Sequence, residues 1–130
     1  MNDYRLIRVA GASYRRIRAA DTVALHRDHR RWLEARLAEP FDGDTVVVTH
    51  HAPHPACLGR FEGGSLAAAY ASDLTDLIEA HRPALWLHGH THVPSDLTVG
   101  ATRVLNVSIG YPPGVDGSPA GDPRAGLLEW

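Results

Sequence analysis

The sequence predicts an α/β fold: a βαβ unit followed by a β-hairpin, with helices packed on one face of a mostly parallel sheet. Three observations carry that prediction. Two short runs, Thr45-Val46-Val47-Val48-Thr49 and Ala84-Leu85-Trp86-Leu87-His88, have the length and the β-branched or apolar character of buried strands. Residues 72–81, with apolar positions at helical spacing, lie between them. Beyond Pro94, residues 96–99 and 102–107 flank Gly100-Ala101, the pattern of a hairpin with a two-residue turn. Strand, helix and strand in that order argue for adjacent parallel strands joined by a crossover. A length of 130 residues sets the expectation of one domain over 1–130. Such a chain buries about two-thirds of its unfolded surface, enough for a real core.

Taken in order, residues 4–9 set Leu6, Ile7 and Val9 between Arg5 and Arg8, a pattern that suits a helix or an edge strand equally. Gly11-Ala12-Ser13 reads as a break. Asp21 is the expected N-cap of a helix over 22–38. Leu25, His29, Trp32, Leu33 and Leu37 form one stripe of that helix, while Arg27, Asp28, Arg30, Arg31 and Glu34 cover its other side. Pro40 and Asp42-Gly43-Asp44 make the turn into the first strand. Residues 51–64 are rich in Pro and Gly and long enough to be a functional loop. The helix at 72–81 turns Leu74, Leu77 and Ile78 to the core, and Arg82-Pro83 ends it. Residues 110–123 are turn-rich and irregular, and Leu127-Leu128 could add a last short strand. No internal repeat or linker divides the chain.

Composition bounds the function. A hydrophobic content of 44% and a charged content of 22% are those of an ordinary soluble domain. A formal charge of −2 gives no general attraction to nucleic acid or to an anionic membrane. The balance is uneven, with nine Arg against four acids up to Ala38 and four Arg against eleven acids beyond it. The arginines are spread rather than stacked, so they read as a solvated helix face before they read as a docking patch. All thirteen basic residues are Arg, a compositional habit with no mechanistic content. Cys57 is the lone cysteine, so no intrachain disulfide forms, which fits a reducing compartment. No apolar segment approaches the roughly 18 residues of a membrane span, and the first residues lack the apolar core of a signal peptide. Cytoplasmic localisation is the expectation.

Six of the nine histidines cluster at the ends of the two predicted strands: His50, His51 and His54 after the first, His88, His90 and His92 at the second. His26, His29 and His81 fall on helices and read as solvated or packed residues. Loops at the ends of parallel strands are where open α/β sheets assemble their sites, and neutral imidazole is the commonest metal ligand. Gly89 lets the backbone bend so that His90 and His92 reach neighbouring points, and His50 approaches from the adjacent strand. The candidate metal ligands are therefore His50, His90 and His92. Three imidazoles suffice for one divalent ion but supply no carboxylate to bridge two.

Val47-Val48-Thr49-His50-His51-Ala52-Pro53 and Leu87-His88-Gly89-His90-Thr91-His92 resemble the last two signature motifs of the calcineurin-like metallophosphoesterases. Their order, their separation and the helix between them match as well. The resemblance implies a metallophosphoesterase-type α/β sandwich around two packed sheets. It further implies a dinuclear centre of divalent metal (Fe, Mn or Zn) that hydrolyses phosphate monoesters or diesters. Carried over by position, His50 and His90 would bind the second metal and His92 the first, while His51 and His88 have no ligand role in that pattern. The family's first half carries Asp-x-His, strand-end Gly-Asp and Gly-Asn-His motifs. Neither Asp-x-His nor Gly-Asn-His occurs here, and Gly43-Asp44 precedes a strand instead of following one. The chain thus resembles the C-terminal half of the domain. The implied function is a metal-dependent phosphoesterase whose dinuclear site needs completion, with a phosphoester substrate and either a homo-oligomer or a complementary half-domain as partner. A second reading is a non-catalytic metal-binding module whose role is assembly. A third, the histidine-triad nucleotide hydrolases, fits His88-x-His90-x-His92 but leaves His50 and His51 unexplained.

Overall fold

The computed structural model describes residues 2–106 and 108, and it is mixed α/β. The chain divides into two compact units, Met1–Pro40 and Phe41–Trp130.

The first unit opens with a single helical turn, α1 (Asp3–Leu6), and then the short strand β1 (Arg8–Val9). The stretch whose pattern suited helix or strand is one and then the other. A 3-10 turn and two left-handed residues, Ser13 (φ 53°) and Tyr14 (φ 55°), bring β2 (Arg15–Arg16) back antiparallel to β1. The long helix α2 (Ala19–Leu37) follows. It begins three residues before the predicted start, so Asp21 lies inside its first turn and is not its N-cap. The reason is a pair of interactions that sequence spacing does not report. The carboxylate of Asp21 accepts the backbone N–H of Arg18 at 2.8 Å. It also accepts both terminal guanidinium nitrogens of Arg15, each at 2.7 Å. An acid at the third helical position that reaches back to the residue before the helix is half of a capping box. The stripe predicted on α2 is only partly covered: Leu33 and Leu37 are half-buried, whereas Leu25 and Trp32 are 50% and 65% exposed.

The second unit is a four-stranded sheet of order β3-β4-β6-β5. β3 (Val46–Val48), β4 (Leu85–His88) and β6 (Thr102–Asn106) run parallel, and β5 (Ser95–Val99) lies antiparallel to β6. The βαβ unit is therefore present with its strands adjacent, and α3 (Thr75–His81) is its helix. Central β4 buries Leu85, Trp86 and His88, so both of its faces are covered, as expected for a parallel strand inside a sheet. At the edge, β3 buries Val47 but leaves Val46 and Val48 exposed. α3 and the residue before it supply Leu74, Leu77 and Ile78 to the core. Arg82 enters the left-handed region (φ 48°), and Pro83 prevents the helix from resuming. The hairpin turns at Gly100, whose φ of 58° at the first turn position is the type II′ pattern.

α3 starts later than predicted because residues 72–74 are engaged elsewhere. Ser72 and Leu74 donate their backbone N–H groups to the carbonyls of Ala52 and Pro53 at 3.0 and 2.9 Å. Asp73 then accepts from the N–H and the hydroxyl of Thr75 at 3.1 and 2.6 Å, which starts the helix. The segment before α3 is thereby tied to the loop that follows β3. Among the described residues no helix is long and apolar enough to cross a membrane. Residues 110–123 and Leu127-Leu128 lie outside the described residues.

Candidate metal centre

Parallel pairing of β3 with β4 puts the loops after both strands at the same end of the sheet. Two backbone bonds stitch those loops together. Thr49 donates to the Leu87 carbonyl at 3.0 Å, and Gly89 donates to the His50 carbonyl at 3.1 Å. The Thr49 hydroxyl donates to the His51 carbonyl at 2.8 Å and accepts the indole N–H of Trp86 at 3.0 Å. Ala52 donates to the Tyr70 carbonyl at 3.0 Å and makes an isolated bridge with Ala71. The first histidine loop is thus held by β4 on one side and by residues 70–74 on the other.

The second loop owes its bend to the histidines themselves. Gly89 is not in the left-handed region, and a Cβ there would meet only ordinary contacts at 3.6 Å and beyond. His90 (φ 66°) and His92 (φ 53°) are the left-handed residues. The turn expected at the glycine is made at two residues that carry a Cβ, each at a cost of roughly 1–2 kcal/mol. Buried Asn106, at the end of β6 and in register with His88, secures the strained segment. Its amide donates to the Thr91 hydroxyl at 2.7 Å and to the Val93 carbonyl at 2.8 Å, fixing both neighbours of His92. Its carbonyl accepts from the N–H and the hydroxyl of Ser108 at 2.9 and 2.6 Å.

Three imidazoles meet at this edge. Nδ1 of His90 lies 2.9 Å from Nε2 of His50, within hydrogen-bond distance. The ring centroids of His50 and His90 are 4.7 Å apart, and His51 sits 5.0 Å from His50 and 4.7 Å from His90. One ligating nitrogen from each of the three lies within 4.8 Å of the others. Tyr70 packs against His90 at 4.8 Å, and Phe61 stacks on Tyr70 at 5.0 Å with an interplanar angle of 8°.

Of the three predicted ligands, the structure brings His50 and His90 together. His92 is half-buried and does not belong to the group. His51, to which the sequence assigned no role, does belong. The turn at Thr49 that brings His51 round rests on a side-chain-to-backbone bond, and a Thr before a His pair is the signal that could have pointed to it. Asn106 was also missed; a lone Asn closing an apolar strand was its trace. Nothing in the sequence marks Tyr70.

His88 stands apart. Its Nδ1 donates to the Gly89 carbonyl at 3.3 Å, its Nε2 is buried without a partner, and burial holds its pKa below the usual histidine value. It is a neutral core residue of β4. With His88 inside a strand and His90 and His92 on left-handed backbone beyond it, the three do not form one row of imidazoles. His54 is tied locally, its Nδ1 accepting the Ala56 N–H at 3.1 Å.

Imidazole nitrogens bind a divalent ion at about 2.0–2.1 Å, so tetrahedral ligands stand about 3.3 Å apart. A group of three nitrogens already within 4.8 Å, two of them on exposed side chains, reaches that spacing by side-chain movement alone. The residues present therefore fit one ion. The group contains no carboxylate. Asp73 is occupied at the start of α3, and Asp96 is paired with Arg103 at 3.0 and 2.7 Å, whose guanidinium keeps its pKa below the usual carboxylate value.

No curated protein matches the chain. The family model for calcineurin-like phosphoesterases matches residues 4–94, a stretch that includes β3, α3, β4 and both histidine loops. On that match, and with the α/β order and the paired loops it encompasses, the chain belongs to the calcineurin-like phosphoesterase family.

Proposed function

We propose that this chain is the histidine-bearing part of a metal-dependent phosphoesterase, and that hydrolysis of a phosphate monoester or diester requires ligands supplied from outside it. The observation that carries the reading is the 2.9 Å contact between His50 and His90, which joins the two histidine loops at one nitrogen pair. Family membership supplies the reaction class. In a completed site, a bound divalent ion would polarise the phosphoryl oxygens and make water a better nucleophile. The chain's own contribution is positional. His50 and His90 offer nitrogens to one ion, His92 is offered to the other, and Asn106 and Tyr70 hold the loops that carry them.

The missing acids come from a second copy of the chain or from a complementary half-domain. Two features support such a partner: the absence of Asp-x-His and Gly-Asn-His motifs, and the exposed valines of β3, which has no strand on its outer side among the described residues. The all-imidazole donor set also supports the alternative of a non-catalytic metal-binding module. Turnover of bis-p-nitrophenyl phosphate with added Mn or Zn distinguishes the two. The chain alone is expected to be nearly inactive, and mixing it with a fragment bearing the missing motifs should raise the rate. His90→Ala should remove that gain. A rate of about 1–10³ per second from the chain alone would overturn the need for a partner, and no gain on complementation would favour the module.

A further inference from the structure

We propose that the chain by itself holds a single divalent ion on His50, His51 and His90, with His51 as the third ligand, and that this site selects imidazole-loving ions such as Zn or Co over Mn. The proposal rests on the metal-binding part of the reading above and is independent of its hydrolytic part.

Three observations converge on it. First, the nitrogens of His50, His51 and His90 form one group within 4.8 Å, drawn from two loops, and no carboxylate belongs to it. Second, the group is held from behind. The Thr49 hydroxyl fixes the His51 carbonyl, the Gly89 N–H fixes the His50 carbonyl, and the Tyr70 ring abuts His90. The backbone at His50 and His51 and the ring of His90 are therefore held before an ion arrives, which reduces the ordering cost of binding. Third, Nδ1 of His90 and Nε2 of His50 already lie 2.9 Å apart, close to the spacing of two ligands on one ion. His50 and His51 are exposed and His90 is half-buried, so solvent reaches the group and can fill a fourth position. An all-nitrogen set of borderline donors favours Zn, Co, Ni and Cu, whereas Mn and Mg favour oxygen.

The test is titration of the purified full chain with Co, followed by displacement with Zn, reading stoichiometry by metal analysis and coordination by visible absorption. One ion per chain is expected, with the intense d–d bands of low-coordinate Co, and Mn should not compete. His51→Ala should weaken binding at least about tenfold, the smallest loss associated with disturbing even a ligand's supports, and by more than His92→Ala does. His51→Cys should restore binding and add a sulfur-to-cobalt charge-transfer band, a signature that only a directly bound residue gives. Cys57 does not confuse the reading, because it is buried. Circular dichroism of each variant controls for folding, and His51 is exposed enough that the fold should persist. Equal affinity in wild type and His51→Ala, with no charge-transfer band from His51→Cys, would overturn the role of His51 and leave the phosphoesterase reading intact. Two ions per chain, or Mn bound as tightly as Zn, would overturn the single-ion site. Absence of binding to any of these ions would overturn this proposal, while the partner-completed phosphoesterase reading would still stand or fall on the complementation assay.

Discussion

Asn106 and Tyr70 each act on the histidine loops from outside the imidazole group, and they do so by different means. Asn106 uses all of its amide in a buried setting, with two donations and two acceptances that keep left-handed His90 and His92 in place. Replacing it with Leu keeps the branched shape but leaves the Thr91 hydroxyl and the Val93 carbonyl without their donor. A loss of about 1–3 kcal/mol in urea unfolding is expected, along with weaker ion binding as the loop relaxes. Tyr70 acts through ring contact, between Phe61 on one side and His90 on the other. Tyr70→Phe should leave Co affinity close to wild type, since the ring is kept. Tyr70→Ala should lower it about ten- to a hundredfold, the range found when the supports of a ligand are lost. At this scale the sequence was only partly legible. Clustering exposed which histidines lie at the two strand ends, but which of them meet depends on backbone angles at His90 and His92 and on one threonine hydroxyl, none of which has a period or a motif.

The strands of the sheet and the hairpin were readable because β-branched runs, apolar runs and a Gly turn are local signals with a fixed repeat. Both helix starts were not, because each is set by particular hydrogen bonds that leave no periodic trace. Asp73 and the Ala52 and Pro53 carbonyls delay α3. Arg15 and the Arg18 N–H draw Asp21 into the first turn of α2. The second arrangement has a measurable consequence. The hydrogen bonds from Arg15, and after them the Arg18 N–H, hold the Asp21 pKa well below the usual carboxylate range. In the unfolded chain the same group titrates near about 3.9. Its contribution to stability is therefore complete above about pH 4 and fades as the pH falls below that value toward the folded pKa. Helicity of the wild type should decline below about pH 4 in far-ultraviolet circular dichroism, and Asp21→Asn should show a smaller decline from a less helical starting point. Arg15→Gln should show an intermediate decline, since the Asp21 carboxylate loses its guanidinium partner but keeps the Arg18 N–H.

For the whole molecule, the sheet ends at β3, where Val48 is 71% exposed and the strand's outer edge has no neighbour among the described residues. A three-valine edge strand of this kind invites a further strand. Sedimentation at micromolar concentration is expected to show self-association. Val48→Lys, which charges the exposed face without touching buried Val47, should shift the distribution toward monomer. A wild type that is monodisperse and monomeric at those concentrations would remove self-association as the route by which the site is completed. The βαβ order and the placement of both loops at one sheet end were legible in the sequence. The extent of the uncovered edge was not, because a run of valines reads the same whether one or both of its faces are packed.

Trp86 gives the molecule an optical address for its own chemistry. The indole is fully buried in β4, and its N–H reaches the Thr49 hydroxyl, which in turn holds the carbonyl of His51. Two hydrogen bonds therefore separate a chromophore from the backbone of the imidazole group, while Trp32 lies 65% exposed in the other unit. With Trp32 and Trp130 replaced by Phe, all remaining indole emission arises from beneath the histidine loops. A change in the Thr49 turn then reads out as a change in colour, and a paramagnetic ion reads out as a loss of intensity. The core residue that anchors the sheet becomes the fluorophore that reports on its edge.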